Sequence, residues 1–372
     1  MRYAIIKKIT ALRHALHQQA ELSGREKKSV ALLADFVAKN SDFQIYYPRN
    51  GGLIAWREDQ QSGQTLLFRA DLDAVRIAED HRLPYHSLQA GISHKCGHDG
   101  HSAILGGLAA ALYGVKTSCR EIMLVFQPAE ETGKGAKHLL SDSFFKDHQP
   151  DQVLALHNIP GYETGSVIVR KGCFALASTG LEIKINGISA HASTPHLGKS
   201  PAPVLTALMN ELPAQCTDSE THSLLTVTHA ALGRRSFGIA PADATLCLTL
   251  RSGSNERLSE MISQVVHQTA ELCRSHNLDF KYKTVESFPA TINDSQVAEI
   301  LKKTAQKAGF KVIEKTEPFS WSEDFGYFTA AYPGLLFGLG SGSGCAPLHH
   351  PDYDFPDELL SAGIELFRKL LK

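Results

Sequence analysis

The sequence predicts an α/β fold: a largely parallel central sheet flanked by helices, with a ferredoxin-like α+β domain inserted into it. Three observations carry this. Four distant segments, 65–70, 121–126, 152–156 and 334–339, are almost wholly apolar, as strands buried on both faces are. Helical patterns lie between several of them, at 102–113, 133–141 and 294–308, which is the alternation of a layered α/β protein. Between about 176 and 287 the texture changes: Leu181-Glu182-Ile183-Lys184-Ile185 alternates with period two, as a sheet with one wet face does.

Taken in order, residues 3–20 carry an amphipathic helical pattern. Ser23-Gly24-Arg25-Glu26 fits a capping box, opening a helix to about Val37. Gln44–Tyr47 and Gly52–Trp56 read as a strand pair. The apolar strands then end in Asp71-Leu72-Asp73, in Gln127-Pro128-Ala129-Glu130-Glu131, in His157-Asn158, and in a glycine-rich loop leading to His349-His350. The insert reads as strand (181–185), helix (200–211), strands (223–229 and 244–250), helix (255–275) and strand (278–284), the ferredoxin-like order. With 372 residues, more than one core usually serves, the chain is expected to form two domains: 1–175 with 288–372, and the insert 176–287.

Lys plus Arg (38) balances Asp plus Glu (39), so there is no electrostatic footprint for nucleic acid or an anionic membrane. The seven cysteines are odd in number and contain no CxxC pair, which argues for a reducing compartment rather than a disulfide framework. The N-terminal stretch lacks a signal-peptide core, and the longest apolar run, 103–112, is too short to span a bilayer. A cytoplasmic protein is expected.

The chemistry gathers around His94-Lys95-Cys96-Gly97-His98-Asp99-Gly100-His101. A thiol and imidazoles sit here at a helix entrance, where the dipole and, more strongly, a metal stabilise a thiolate. Ligands in parallel sheets bind beyond the carboxyl ends of the strands, and the other acids and imidazoles fall there too. Of the adjacent pair Glu130-Glu131, one can ligate a metal while the other holds a proton near an activated water. Asp73 can orient a histidine ligand from behind. Cys96, His98, Glu131, His157 and one of His349 or His350 exceed what one tetrahedral zinc needs. Two divalent ions sharing a ligand use them all, and the logic of such a site is hydrolytic. Thiolate and imidazole favour zinc; the carboxylate also suits manganese.

The chain resembles the aminoacylase, hippurate hydrolase and auxin-conjugate amidohydrolase family, relatives of the carboxypeptidase G type di-metal peptidases. The resemblance rests on LHQQAEL, RADLDAVRI, LPYHS, HKCGHDGHSA, VFQPAEETGKGA, GISAHASTPH, SEDFGYF and LHHPDYDF, in family order and over nearly the whole chain. It implies Cys96, His98, Glu131, His157 and His349 as metal ligands, His349 because it follows Leu348. It implies Glu130 as general base, and His191 as an insert-domain histidine that stabilises the oxyanion, across a dimer in some relatives. The insert is then a lid or dimerisation domain and the protein a homodimer. The expected activity is hydrolysis of small-molecule N-acyl amino acids; a dipeptidase or carboxypeptidase with the same site, or a non-catalytic binding protein on this fold, are the alternatives. The family's insert-domain asparagine is replaced by Gly238. Arg251 and the loop holding Gly340 and Gly342 are candidates to bind a substrate carboxylate, the loop through its N–H groups.

Overall fold

Thr65–Asp71, Glu121–Gln127 and Gly334–Gly340 are each buried at all seven positions. Such strands need cover on both faces. The computed structural model, which describes residues 3–79 and 83–371, places them inside an eight-stranded sheet. Its order is Gln44–Tyr46, Leu53–Glu58, Glu121–Gln127, Thr65–Asp71, Gln152–Ile159, Gly334–Gly340, Val167–Val169, Val312–Glu314. The four central strands run parallel, while antiparallel pairings extend both flanks. This is the largely parallel sheet that the apolar runs predict.

The helix His98–Ala111 is buried continuously from His98 to Ala109. Its Ile104, Leu105 and Leu108 share a core with Ile9 and Leu12 of the first helix and with Ile364 and Phe367 of the last. Phe367 also meets the sheet, its ring 5.0 Å from Phe68 and 5.8 Å from Phe337. Each such side chain contributes about 1.5–3 kcal/mol by leaving water. The packing holds the helix entrance rigidly against the carboxyl ends of the parallel strands. No described helix is long and apolar enough to cross a membrane.

The capping box is not realised. The helix runs Lys27–Asn40 without a side-chain bond from its N-cap residue Glu26. Glu21 caps it instead, Oε2 accepting from the N–H groups of Lys28 and Ser29 at 2.8 and 2.9 Å. A carboxylate reaching in from outside satisfies the orphan donors of the first turn, and so frees Ser23 and Glu26. His157 and Asn158, expected just beyond a strand, lie within Gln152–Ile159.

The chain divides into two compact units. One comprises the residues up to Phe174, Thr291–Pro318 and those from Asp324 onward; the other is Ala175–Ala290 with Phe319–Glu323. The second holds a four-stranded antiparallel sheet ordered Leu224–Leu232, Asp243–Ser252, Ala177–Asn186, Asp279–Phe288. Helices Ala202–Cys216 and Asn255–Ser275 pack on it. The strand sequence and order are those of a ferredoxin-like fold.

Candidate active site

The site is built at the junction of the helix His98–Ala111 with the parallel strands. Gly97 precedes the helix at φ 92°, a left-handed conformation that suits glycine. A Cβ there would lie 2.4 Å from Asn158 Oδ1. The turn brings Cys96 and His98 inward. Cys96, His98 and His157 have ligand atoms within 4.8 Å of one another, and so do Cys96, Glu131 and His349. Cys96 belongs to both groups. Its Sγ is 3.6 Å from His157 Nε2, and Glu131 Oε1 is 3.2 Å from His349 Nε2. His349 is about half exposed at a positive φ of 62°, held in place by its N–H donating to Lys95 O at 2.8 Å. The doublet's other member, His350, turns to Asp352.

Asp73 stands behind these groups. Its carboxylate accepts from the N–H groups of Glu130 and Glu131 at 3.1 and 3.0 Å, and its carbonyl meets His98 Nδ1 at 2.9 Å. His98 Nε2 is buried without a hydrogen-bond partner, yet Asp71, Glu130 and Glu131 present carboxylate oxygens 3.6–4.0 Å away. An unsatisfied buried imidazole nitrogen facing acids is what a metal ligand looks like. Thiolate, imidazole and carboxylate donors suit a transition-series cation. The residues fit a metal centre.

The electrostatics agree. Burial resists a charge on His98, but Asp71 and Cys96 hold its pKa well above the ordinary value. Hydrogen bonding to Cys96 and Glu131 raises His349 to about 10. Burial, with His101 nearby, drives His157 well below its usual range. Burial works against ionised Asp71, yet His98, His101 and Arg69 pull its pKa far down. A pocket that holds protons this firmly on two imidazoles is one that attracts positive charge.

Sequence reasoning missed a buried polar chain beneath the site. Asp324 accepts from Arg69 Nη2 (2.9 Å), Gln127 Nε2 (2.7 Å) and the N–H of Ala136 (2.9 Å). Arg69 Nη1 donates to Asp71 (2.8 Å), Asp71 meets His101 Nδ1 (2.6 Å), and Asn158 joins His101 to the Tyr353 hydroxyl. A second buried group ties Asp99 to His17 (2.8 Å) and Arg13, His17 to Glu79 (2.9 Å), and Glu79 to Lys95 (2.5 Å). Their visible trace in the sequence is a set of polar residues inside apolar runs.

Other expected residues are placed elsewhere or differently. His191 and Arg251 belong to the second unit. His191 is exposed, with Nδ1 2.7 Å from Ser193 Oγ. Arg251 donates to Ser320 O and Ser322 Oγ at 2.9 and 3.0 Å. Gly238 lies in open space, with nothing within 4 Å of an added Cβ. The anion-binding role of the Gly340–Gly342 loop is not supported. The N–H groups of Gly340, Ser341 and Gly342 already donate to Ser166, Ile159 and Tyr162 carbonyls at 2.8, 3.0 and 2.8 Å, so they are not available to a carboxylate.

Comparison with known proteins agrees with this picture. Residues 67–372 match the model of peptidase family M20/M25/M40. The N-acetyl-L-cysteine deacetylase of Bacillus subtilis is 30% identical, over 93% of this chain and 83% of the relative. The hippurate hydrolase of Campylobacter jejuni is 26% identical, over 96% and 94%. Among solved structures, a dinuclear metal-binding M20 peptidase of Bacillus subtilis superposes with a TM-score of 0.87 at 22% identity, covering 100% of this chain and 98% of that one. With the family model covering most of its length, the chain belongs to peptidase family M20/M25/M40 and is a metal-dependent hydrolase of amide bonds.

Proposed function

We propose that this protein hydrolyses N-acyl amino acids to an amino acid and a carboxylic acid, using two divalent ions held by Cys96, His98, Glu131, His157 and His349. The observation that carries the reading is that two ligand triads share Cys96 while the buried carboxylate of Glu130 lies 4.0 Å from His98. When bound, the ions polarise the substrate carbonyl and lower the pKa of water. Glu130 takes the proton of the attacking water as the C–O bond forms. It returns that proton to the amide nitrogen as the C–N bond breaks, so the amine leaves neutral. His191, with Nδ1 engaged by Ser193, has Nε2 to donate to the oxyanion, which is the interaction that strengthens in the transition state.

The thiolate and imidazole donors favour zinc, with manganese also compatible. The relatives named for N-acetyl-L-cysteine and hippurate support small acyl amino acids as substrates. The reading includes a cytoplasmic homodimer formed through the insert. The deciding experiment is a panel of N-acetyl and N-benzoyl amino acids against dipeptides, run with wild type and Glu130→Gln and with metal analysed on the same samples. Turnover of the acyl amino acids that disappears in Glu130→Gln at unchanged metal content is expected. Wild-type rates in that variant, or turnover of dipeptides alone, overturns the reading.

A further inference from the structure

The Ser23–Glu26 segment, released from capping its own helix, turns to the acidic pair. Glu26 is buried, and its Oε1 accepts from the N–H groups of Gly24 and Ala129 at 2.9 and 2.8 Å. Ser23 Oγ donates to Asp73 Oδ2 at 2.6 Å. Asp73 in turn takes the N–H groups of Glu130 and Glu131. Three consecutive backbone donors, 129 to 131, are thus gripped by two buried carboxyl groups. The turn needs the grip. Ala129 sits at φ 54°, a left-handed conformation that strains a residue with a Cβ, and a buried N–H left without an acceptor would add to the cost.

We propose that Glu26 is a positioning residue for Glu130 and Glu131, its carboxyl oxygen holding the Ala129 turn in the one conformation that aims both acids into the site, with Ser23 orienting Asp73 for the same end. Glu26 acts as an acceptor, not as a charge. Burial, and then the neighbouring Asp73, push its pKa up to about 7. A protonated carboxyl still accepts through its C=O, so the grip does not depend on ionisation.

The proposal rests on Glu130 as proton carrier and Glu131 as ligand, and its test separates the two. Glu26→Gln keeps the shape and the acceptor; Glu26→Met keeps the shape and removes it. In Glu26→Met, kcat is expected to fall about 100-fold with KM little changed, as for a group displaced by about an ångström. Calorimetric titration of the metal-free protein with Co²⁺ is expected to show one of two sites weakened by about 10–100-fold. Glu26→Gln is expected to restore both to within about threefold of wild type, and circular dichroism to report the native fold throughout. Wild-type kcat and Co²⁺ affinity in Glu26→Met overturn the proposal. So does equal loss in the Gln and Met variants, which would mark a role for the charge or for the fold at large. If Glu130→Gln proves active, the functional reading falls; the Co²⁺ titration still decides whether Glu26 positions Glu131.

Discussion

Thr65–Asp71 in the large sheet is buried at every position, whereas Asp243–Ser252 in the insert alternates between buried and partly exposed residues along its length. The first strand carries Arg69 and Asp71, which have no water to turn to and are held by Asp324, His101 and Gln127. The second sends its polar side chains to its wet face. The neighbouring strands do the same: Lys184 and Lys283 lie 3.3 and 3.4 Å from Glu182 in ion pairs open to solvent. The difference teaches where chemistry can be built. A polar group buried away from water depends on the few partners within its reach, and they fix its geometry. A solvated pair has many.

The comparison can be broken or sharpened by substitution. The largest effect is expected at Cys96, shared by both triads: Cys96→Ser should lower bound metal from about two ions to one or none, read by elemental analysis, and abolish turnover with it. Unchanged stoichiometry would remove Cys96 from the ligand set. Next is Asp324→Ala, which takes an acceptor from Arg69, Gln127 and the Ala136 N–H at once. Leaving a buried cation half-paired should cost about 3–5 kcal/mol in denaturant unfolding.

His17 gives a smaller, pH-dependent effect. Burial opposes its charge, but Asp99 and Glu79 raise its pKa from 6.5 to about 9. A raised histidine stabilises the fold fully below its unfolded value and loses that stabilisation as pH rises through its folded value. Unfolding free energy should therefore decline between about pH 6.5 and 9, by up to about 3 kcal/mol, and His17→Gln should flatten that arm. A flat wild-type profile would show that the pair does not hold a proton. The smallest effect is expected in the insert: Lys283→Ala should leave the melting midpoint where it was, because exposed ion pairs contribute little.

The same contrast explains what was legible in the sequence. Strands buried on both faces announce themselves as apolar runs, and the insert's strands as alternation. Cys96, His98, Glu131 and His157 could be named because they stand at or near strand ends and at a helix entrance, where parallel sheets gather ligands. The partners behind them could not. That Asp71 meets His101, or that Asn158 reaches Tyr353, depends on which strands become neighbours, and no local pattern encodes that. Ser23-Gly24-Arg25-Glu26 has the spacing of a capping box whether its side chains face their own helix or another loop; Glu21, five residues ahead of Glu26, decided between the two. The Gly340–Gly342 donors were misjudged for a like reason, since their acceptors come from residues 159–166.

The short strands Gly172–Ala175 and Thr291–Asn293 pair with each other in a two-stranded ribbon. The polypeptide therefore leaves the first unit and comes back to it through adjacent threads, with Phe319–Glu323 contributing separately to the second unit. A replacement grafted between those threads leaves the residues of the parallel ladder between Gln152–Ile159 and Gly334–Gly340 untouched, but it must also supply partners for Phe319–Glu323, as Arg251 does for Ser320 and Ser322.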